Sequence, residues 1–293
     1  MIVETWREKS IRYRHILKQH LVYKILRREW QKPVLSLKNK HINEKCFIFA
    51  TGPSVNEMDL DLVQSCITNE GFSVIGVNSF NSSDLATRFS PRYALISDPC
   101  YLDEPETSKY KPKFIADLER MKSIKNLTLI LPHQWFDRIS ELNLFPAQEK
   151  AFFFNCENFP AKPTGCNLLA QRYYVSLTAY KAIIAAAYMG FREIYLLGFD
   201  EDYVSGLSID ENNHIIWQDR HFYPDDEAYK RRDMTVEANL TFEVYCANII
   251  RSCISQRKIN SDVQSLGGAV FNCNPNSYVI GFPKTKRFYR NEV

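Results

Sequence analysis

The 293-residue chain contains no apolar run approaching the roughly 20 residues needed to cross a bilayer. Residues 1–9 form no apolar core of signal-peptide type. A secreted or membrane-spanning protein is therefore not expected. The 8 cysteines include no Cys-x-x-Cys pair, which removes the commoner zinc and dithiol signatures. Several lie in apolar runs, Cys46 before Phe47-Ile48-Phe49 and Cys273 after Val270-Phe271, as expected of buried, reduced thiols in the cytosol. Net charge is only +3, too little for nucleic-acid binding by bulk electrostatics. There is no internal repeat and no low-complexity segment. No Gly-x-Ser-x-Gly elbow, His-Glu-x-x-His pair or kinase loop set appears, so the commoner hydrolase and kinase mechanisms are disfavoured.

What is present is a chain able to build a substantial core, with 45% hydrophobic residues. Its 16 Tyr and 19 Phe suit a pocket rich in stacking surfaces. The charge is unevenly placed. Residues 1–40 hold 11 Lys/Arg against 3 Glu, a local +8, while residues 41–293 hold 26 against 31, or −5. Over residues 5–30, Trp6, Tyr13, Leu17 and Leu21 recur at helical spacing among basic residues, and Pro33 is expected to end the pattern. Two readings stand open for this basic amphipathic segment. It is either an interfacial helix drawn to anionic lipid or a helix packed on the core with a solvated basic face.

From Lys45 onward, short apolar runs alternate with helical patterns. Strands are expected at Cys46–Ala50, Ser73–Val77, Tyr93–Ile96, Leu127–Leu131, Ala151–Phe154, Glu193–Leu197 and Ala269–Phe271. Helices are expected from about Leu168 to Met189, ended by Gly190, and near Thr235–Gln256. This alternation predicts an α/β fold of Rossmann-like type, a mainly parallel sheet with helices on both faces. The expected division is a helical segment over 1–40 and one domain over 41–293. The polar stretch 201–234 is too long for a plain connector and is read as a lid.

In such sheets ligands sit beyond the carboxyl ends of the strands, and here those ends carry the candidate residues. Thr51-Gly52-Pro53-Ser54 follows the first strand. Gly52 permits a tight turn, and the helix start after it offers N–H groups to an anion, although the segment is neither a Walker loop nor a Gly-x-Gly-x-x-Gly fingerprint. Asn78 closes the second strand and is either a base- or ribose-reading amide or a turn residue. Thr164-Gly165 is read as the N-terminal cap of the long helix. Asp200-Glu201-Asp202 is an Asp-x-Asp pattern able to hold a cation, but Asp59-Leu60-Asp61 matches equally well, so no metal is expected from it. Among the 6 histidines, His221 in Asp219-Arg220-His221-Phe222-Tyr223 has the company of a general base, with Asp219 to orient it.

Taken in order, Phe47 to Ser54, Val77-Asn78-Ser79-Phe80, Thr164-Gly165, Gly190 to Asp200 and Cys273-Asn274-Pro275-Asn276-Ser277 resemble the bacterial sialyltransferases of glycosyltransferase family 42. They also resemble the wider superfamily that holds the MptE-like diphosphokinases and flagellin-modifying nonulosonate transferases. The resemblance spans about residues 45–280, is most specific over 190–200, and leaves out the first 40 residues. It implies an inverting, metal-independent transferase using a CMP-activated 2-keto sugar acid, with no cofactor. By position, Thr51, Gly52 and Ser54 would line the nucleotide phosphate and ribose, and Asn78 would touch the donor. Thr164 and Gly165 would hold the sugar carboxylate, while Gly198 and Asp200 would border the cytidine. Tyr203 or Tyr223 would bind the leaving phosphate and His221 would be the base. The expected partners are a CMP-sugar, a glycan or glycolipid acceptor such as lipopolysaccharide, and, through residues 1–40, the inner face of the cell membrane. Two other readings remain: a metal-dependent diphosphokinase of the MptE-like type, and a non-catalytic nucleotide-binding protein recruited to membranes.

Overall fold

Apolar runs of about five residues become strands where Gly, Pro, Asn or Asp closes them. The computed structural model describes residues 6–102, 108, 111–158, 165–170, 172–173, 177–223 and 231–290. Its strands are Lys45–Phe49 (β1), Ser73–Val77 (β2), Tyr93–Leu95 (β3), Thr128–Pro132 (β4), Glu149–Phe153 (β5), Glu157–Asn158 (β6), Arg172–Tyr173 (β7), Glu193–Leu197 (β8), Leu207–Ile209 (β9), Ile215–Gln218 (β10), Arg231–Asp233 (β11) and Ala269–Asn272 (β12). The α-helices are Trp6–Leu21 (α1), Gln31–Leu37 (α2), Leu60–Glu70 (α3), Asp84–Phe89 (α4), Lys111–Lys122 (α5), Phe136–Glu141 (α6), Thr178–Met189 (α7), Met234–Ala238 (α8) and Phe242–Ser265 (α9).

Seven strands form one parallel sheet in the order β12-β8-β1-β2-β3-β4-β5. Residues alternate between its faces, as the two-residue period of a strand requires. Cys46 and Ile48 of β1 join the core under α7, whereas Phe47 and Phe49 pack with Val63 and Cys66 of α3 and Phe89 of α4. Helices therefore cover both faces, as expected of a parallel sheet. From β1 the sheet grows through β2 to β5 on one side and through β8 to β12 on the other. The strand order thus reverses between β1 and β8, and a crevice opens beyond their carboxyl ends.

Three expected helix boundaries are corrected. Pro33 does not end the N-terminal helical pattern; it lies in the first turn of α2, where its missing N–H has no intrahelical partner to lose. The pattern instead runs through α1, a π-helical turn at Val22–Leu26 and a single 3-10 turn at Arg28–Trp30. The long helix begins at Thr178, ten residues after Leu168. The expected helix over 235–256 is two helices. Asp233 caps α8, Asn239 breaks it at a positive φ of 49°, and Thr241 caps α9. Within 201–234, β9, β10 and β11 make a separate antiparallel sheet, with Trp217 opposite Leu207 and Arg232. All 8 cysteines are free thiols and five are buried. No helix among the described residues is long and apolar enough to cross a membrane.

Candidate active site

The crevice is built by loops that close on one another at the carboxyl ends of β1, β8 and β12. Ala50 N–H donates to Leu197 O at 2.9 Å and Gly52 N–H to Gly198 O at 3.0 Å, carrying the β1–β8 pairing past the strand ends. A side chain at Gly52 has no room, because its Cβ would lie 1.8 Å from Asp200 Oδ2 and 2.5 Å from Gly198 O. Asp200 is the knot between the loops. Its Oδ2 accepts from the Ser54 hydroxyl at 3.0 Å and the Ser54 N–H at 3.3 Å, and its Oδ1 accepts from the Asn274 amide. Its backbone carbonyl takes the Tyr278 N–H at 3.0 Å and the Ser277 hydroxyl at 3.1 Å. Burial raises the Asp200 carboxyl above the ordinary carboxylate range, and the Ser54 and Asn274 donors pull it back.

Over this knot lies a cavity of about 510 Å³, joined by a smaller one of about 140 Å³. Thr51, Asn78, Asp98 and His221 line both. Asn78 closes β2 at a positive φ of 46° and its side-chain oxygen accepts from the Ser97 N–H at 3.4 Å. The segment carrying His221 is pinned to the β1 loop, because Phe222 N–H donates to Thr51 O at 3.0 Å and the Asn56 amide donates to Phe222 O at 2.9 Å. His221 stacks on Tyr223 with centroids 4.9 Å apart and planes 5° apart. Its Nε2 faces Asp219 Oδ1 at 3.7 Å.

The sequence candidates divide into three groups. Thr51, Gly52, Asn78, Gly198, Asp200, Tyr203 and His221 line the larger cavity, and Tyr223 lines the smaller. Ser54 is buried behind the wall, with its hydroxyl spent on Asp200. Thr164 lies outside the described residues, and Gly165, at a positive φ of 65°, stands apart from both cavities. The N-terminal turn that does reach the larger cavity is that of α7, through Leu177, Thr178 and Ala179. Sequence reasoning missed Thr178 because the apolar residues before it masked the helix start. It also missed Trp217 and Arg232, which β10 and β11 bring to the cavity, and Tyr278, held by the Asp200 carbonyl. Asp98 could have been found, since it closes β3 as Asp200 closes β8.

Beneath the cavity wall a buried polar node joins three elements. The Gln256 amide of α9 donates to Tyr180 Oη of α7 at 2.6 Å and to Glu201 Oε2 at 2.9 Å. Its oxygen accepts from the Ile280 and Gly281 N–H groups, both at 3.0 Å. Glu201 sits at a positive φ of 47°, and its Oε1 is shut off from solvent with no hydrogen-bond partner among the described residues. Burial pushes its carboxyl up to about 7, against the hydrogen bonds from Tyr180 and Gln256.

Six acidic residues (Glu57, Asp98, Asp200, Glu201, Asp202 and Asp219) are among those that line the larger cavity, with Arg220 and Arg232. Asp202 takes the Ser205 N–H at 2.9 Å, so it is turned to its own loop as Asp200 is to Ser54. Among the described residues no three His, Cys, Asp or Glu side chains converge on one point.

No family model and no curated protein matches the chain. Among solved structures, it is similar to the MAf glycosyltransferase of Magnetospirillum magneticum AMB-1, at 14% identity and a TM-score of 0.48, over 88% of this chain. The chain spans only 38% of the length of that protein. It is also similar to the sialyltransferase CstII of Campylobacter jejuni in complex with cytidine-5'-monophosphate, at 13% identity and a TM-score of 0.43, covering 86% of this chain and 89% of that one. CstII in complex with CMP-3FNeuAc gives 13% and 0.43, over 85% and 89%.

Proposed function

We propose that this chain is an inverting glycosyltransferase that moves a CMP-activated 2-keto sugar acid onto a glycan or glycolipid at the cytoplasmic face of a membrane. The observation that carries this reading is the position of His221 at the junction of the two cavities. An inverting transfer needs a base between donor and acceptor. The larger cavity has the size of a ligand pocket for a nucleotide sugar, and the smaller one, with Tyr223 and Phe114 in its wall, suits the acceptor sugar.

In the reaction the acceptor hydroxyl oxygen bonds to C2 of the sugar acid as the C2–O bond to the phosphate breaks. The hydroxyl proton passes to the imidazole of His221, and CMP leaves with the bonding pair. Tyr203 lines the donor cavity and is the hydroxyl suited to the leaving phosphate; Tyr223, beside the smaller cavity, belongs to the acceptor side. The N-terminal turn of α7, which reaches the cavity through Leu177, Thr178 and Ala179, suits the sugar carboxylate. These donors stabilise the growing charge without a metal. The sheet formed by β9, β10 and β11 acts as the lid, presenting Trp217 to the donor.

Calorimetry with CMP, ADP and GDP, with and without EDTA, tests the reading. The expected result is EDTA-insensitive binding of CMP alone, and His221→Ala should keep that binding while losing transfer. Full transfer in the variant would remove His221 from the mechanism. One observation favours a second reading: six acidic residues against two arginines is an unusual lining for an anionic donor without a cation. Purine preference lost on adding EDTA would move the assignment to a metal-dependent diphosphokinase.

A further inference from the structure

The first helix and the two turns after it have two faces of opposite fate. On one, Ile16, Tyr23 and Trp30 are buried with Phe154 and Cys156. Tyr23 Oη donates to Phe152 O at 2.8 Å, and Gln19 pairs with His133 Nε2 at 2.9 Å. On the other, Tyr13 is 53% exposed, Leu17 67%, Leu21 48% and Ile25 65%. A spacing of four places Tyr13, Leu17 and Leu21 in one row along α1, and the π-helical turn that follows adds Ile25. Single exposed apolar residues are ordinary, but a continuous row on a helix already anchored by its other face is an interaction surface.

Its surroundings specify the occupant. Residues 13–40 hold eight Lys/Arg against Glu29 alone, and Arg14, Lys18, Arg27, Arg28, Lys32, Lys38 and Lys40 are exposed. Residues 41–293 carry −5, so an anionic surface attracts this end and repels the remainder. The anchor residues His133 and Phe154 directly follow β4 and β5, which puts this packing at the carboxyl end of the sheet, the end where the crevice opens.

We infer that α1 and the turn after it dock on an anionic lipid bilayer, with Leu17, Leu21 and Ile25 entering the headgroup boundary and the basic residues meeting acidic lipid. This surface goes beyond the transferase reading and does not depend on what the cavity binds.

The test is co-sedimentation of the full chain with phosphatidylcholine vesicles, with and without about 30% phosphatidylglycerol. Binding is expected only to the anionic vesicles, and to weaken steeply between about 50 and 300 mM salt. Leu17→Ser/Leu21→Ser/Ile25→Ser should lose binding at least tenfold while keeping the wild-type Tm, since these side chains already face solvent. Arg27→Gln/Arg28→Gln should weaken it by about fivefold per charge. Absence of binding to anionic vesicles at 50 mM salt, or undiminished binding in the triple Ser variant, would overturn the inference. A concentration-dependent dimer abolished by the triple Ser variant, without vesicle binding, would assign the row to a second copy of the chain. Nucleotide calorimetry on the same variants separates the two proposals, because failure of either leaves the other's readout intact.

Discussion

Replacing Glu201 by Gln probes the node beneath the cavity through its pH dependence. Burial raises the Glu201 carboxyl from an ordinary 4.5 to about 7, so the fold favours the protonated acid. For an acid whose folded pKa lies above its unfolded one, stability is complete below about pH 4.5 and is lost as pH rises through 7. A rise of this size corresponds to about 3 kcal/mol at pH 8. Glutamine keeps the shape and a carbonyl oxygen for the Gln256 and Tyr180 donors, and it never ionises. Glu201→Gln should therefore be more stable than wild type by up to about 3 kcal/mol at pH 8, with the gap closing toward pH 5. Urea unfolding of both proteins at pH 5, 6, 7 and 8, with m held in common, reads this directly. Every other titrating group cancels in the difference. Parallel stability profiles, or a variant weaker than wild type at pH 8, would refute the buried, proton-holding carboxyl.

Gln256→Leu should cost at least about 3 kcal/mol in the same assay, because it orphans the Ile280 and Gly281 N–H groups together with Tyr180 and Glu201. Gly52→Ala should drive the β1 loop away from Asp200 and weaken nucleotide binding at least tenfold by calorimetry, since no Cβ fits there. His41 is buried in the loop before β1, pairing with Glu44 and Tyr93 and stacked on Phe191. Burial lowers its pKa despite Glu44, so its contribution is complete above pH 6.5 and is lost as pH falls. The stability gap between wild type and His41→Ala should narrow from pH 7 to pH 5, as followed by urea unfolding.

The strands were legible because each is a short apolar run with a breaker at its end, and that signal is local. Ser73–Val77 and Glu193–Leu197 match expectation to the residue. The helices were less so. Eleven of the twelve residues of α7 are buried, and a helix apolar on every side carries no period to mark its start. The apolar residues before Thr178 therefore read as more helix, and the cap was placed at Thr164. Pro33 misled in the other direction, since proline stops a helix in its interior but is tolerated in its first turn.

The chain's local chemistry by itself determined the alternation that makes a parallel sheet, the polar strand ends, and the charge division between residues 1–40 and the rest. Only the tertiary structure decided which strand ends meet. It made Asp200 a clamp between Ser54 and Asn274, put Ser54 behind the wall, and carried Trp217 and Arg232 to the cavity on a separate small sheet. It also separated Ile16 from Leu17 and Leu21, neighbours on one helix, into core and surface. The reason is physical. Periodicity says that a helix has two sides, but the surface it packs against chooses which side is buried. Hydrogen-bond partners 146 residues apart, such as Ser54 and Asp200, become neighbours only when the sheet order reverses.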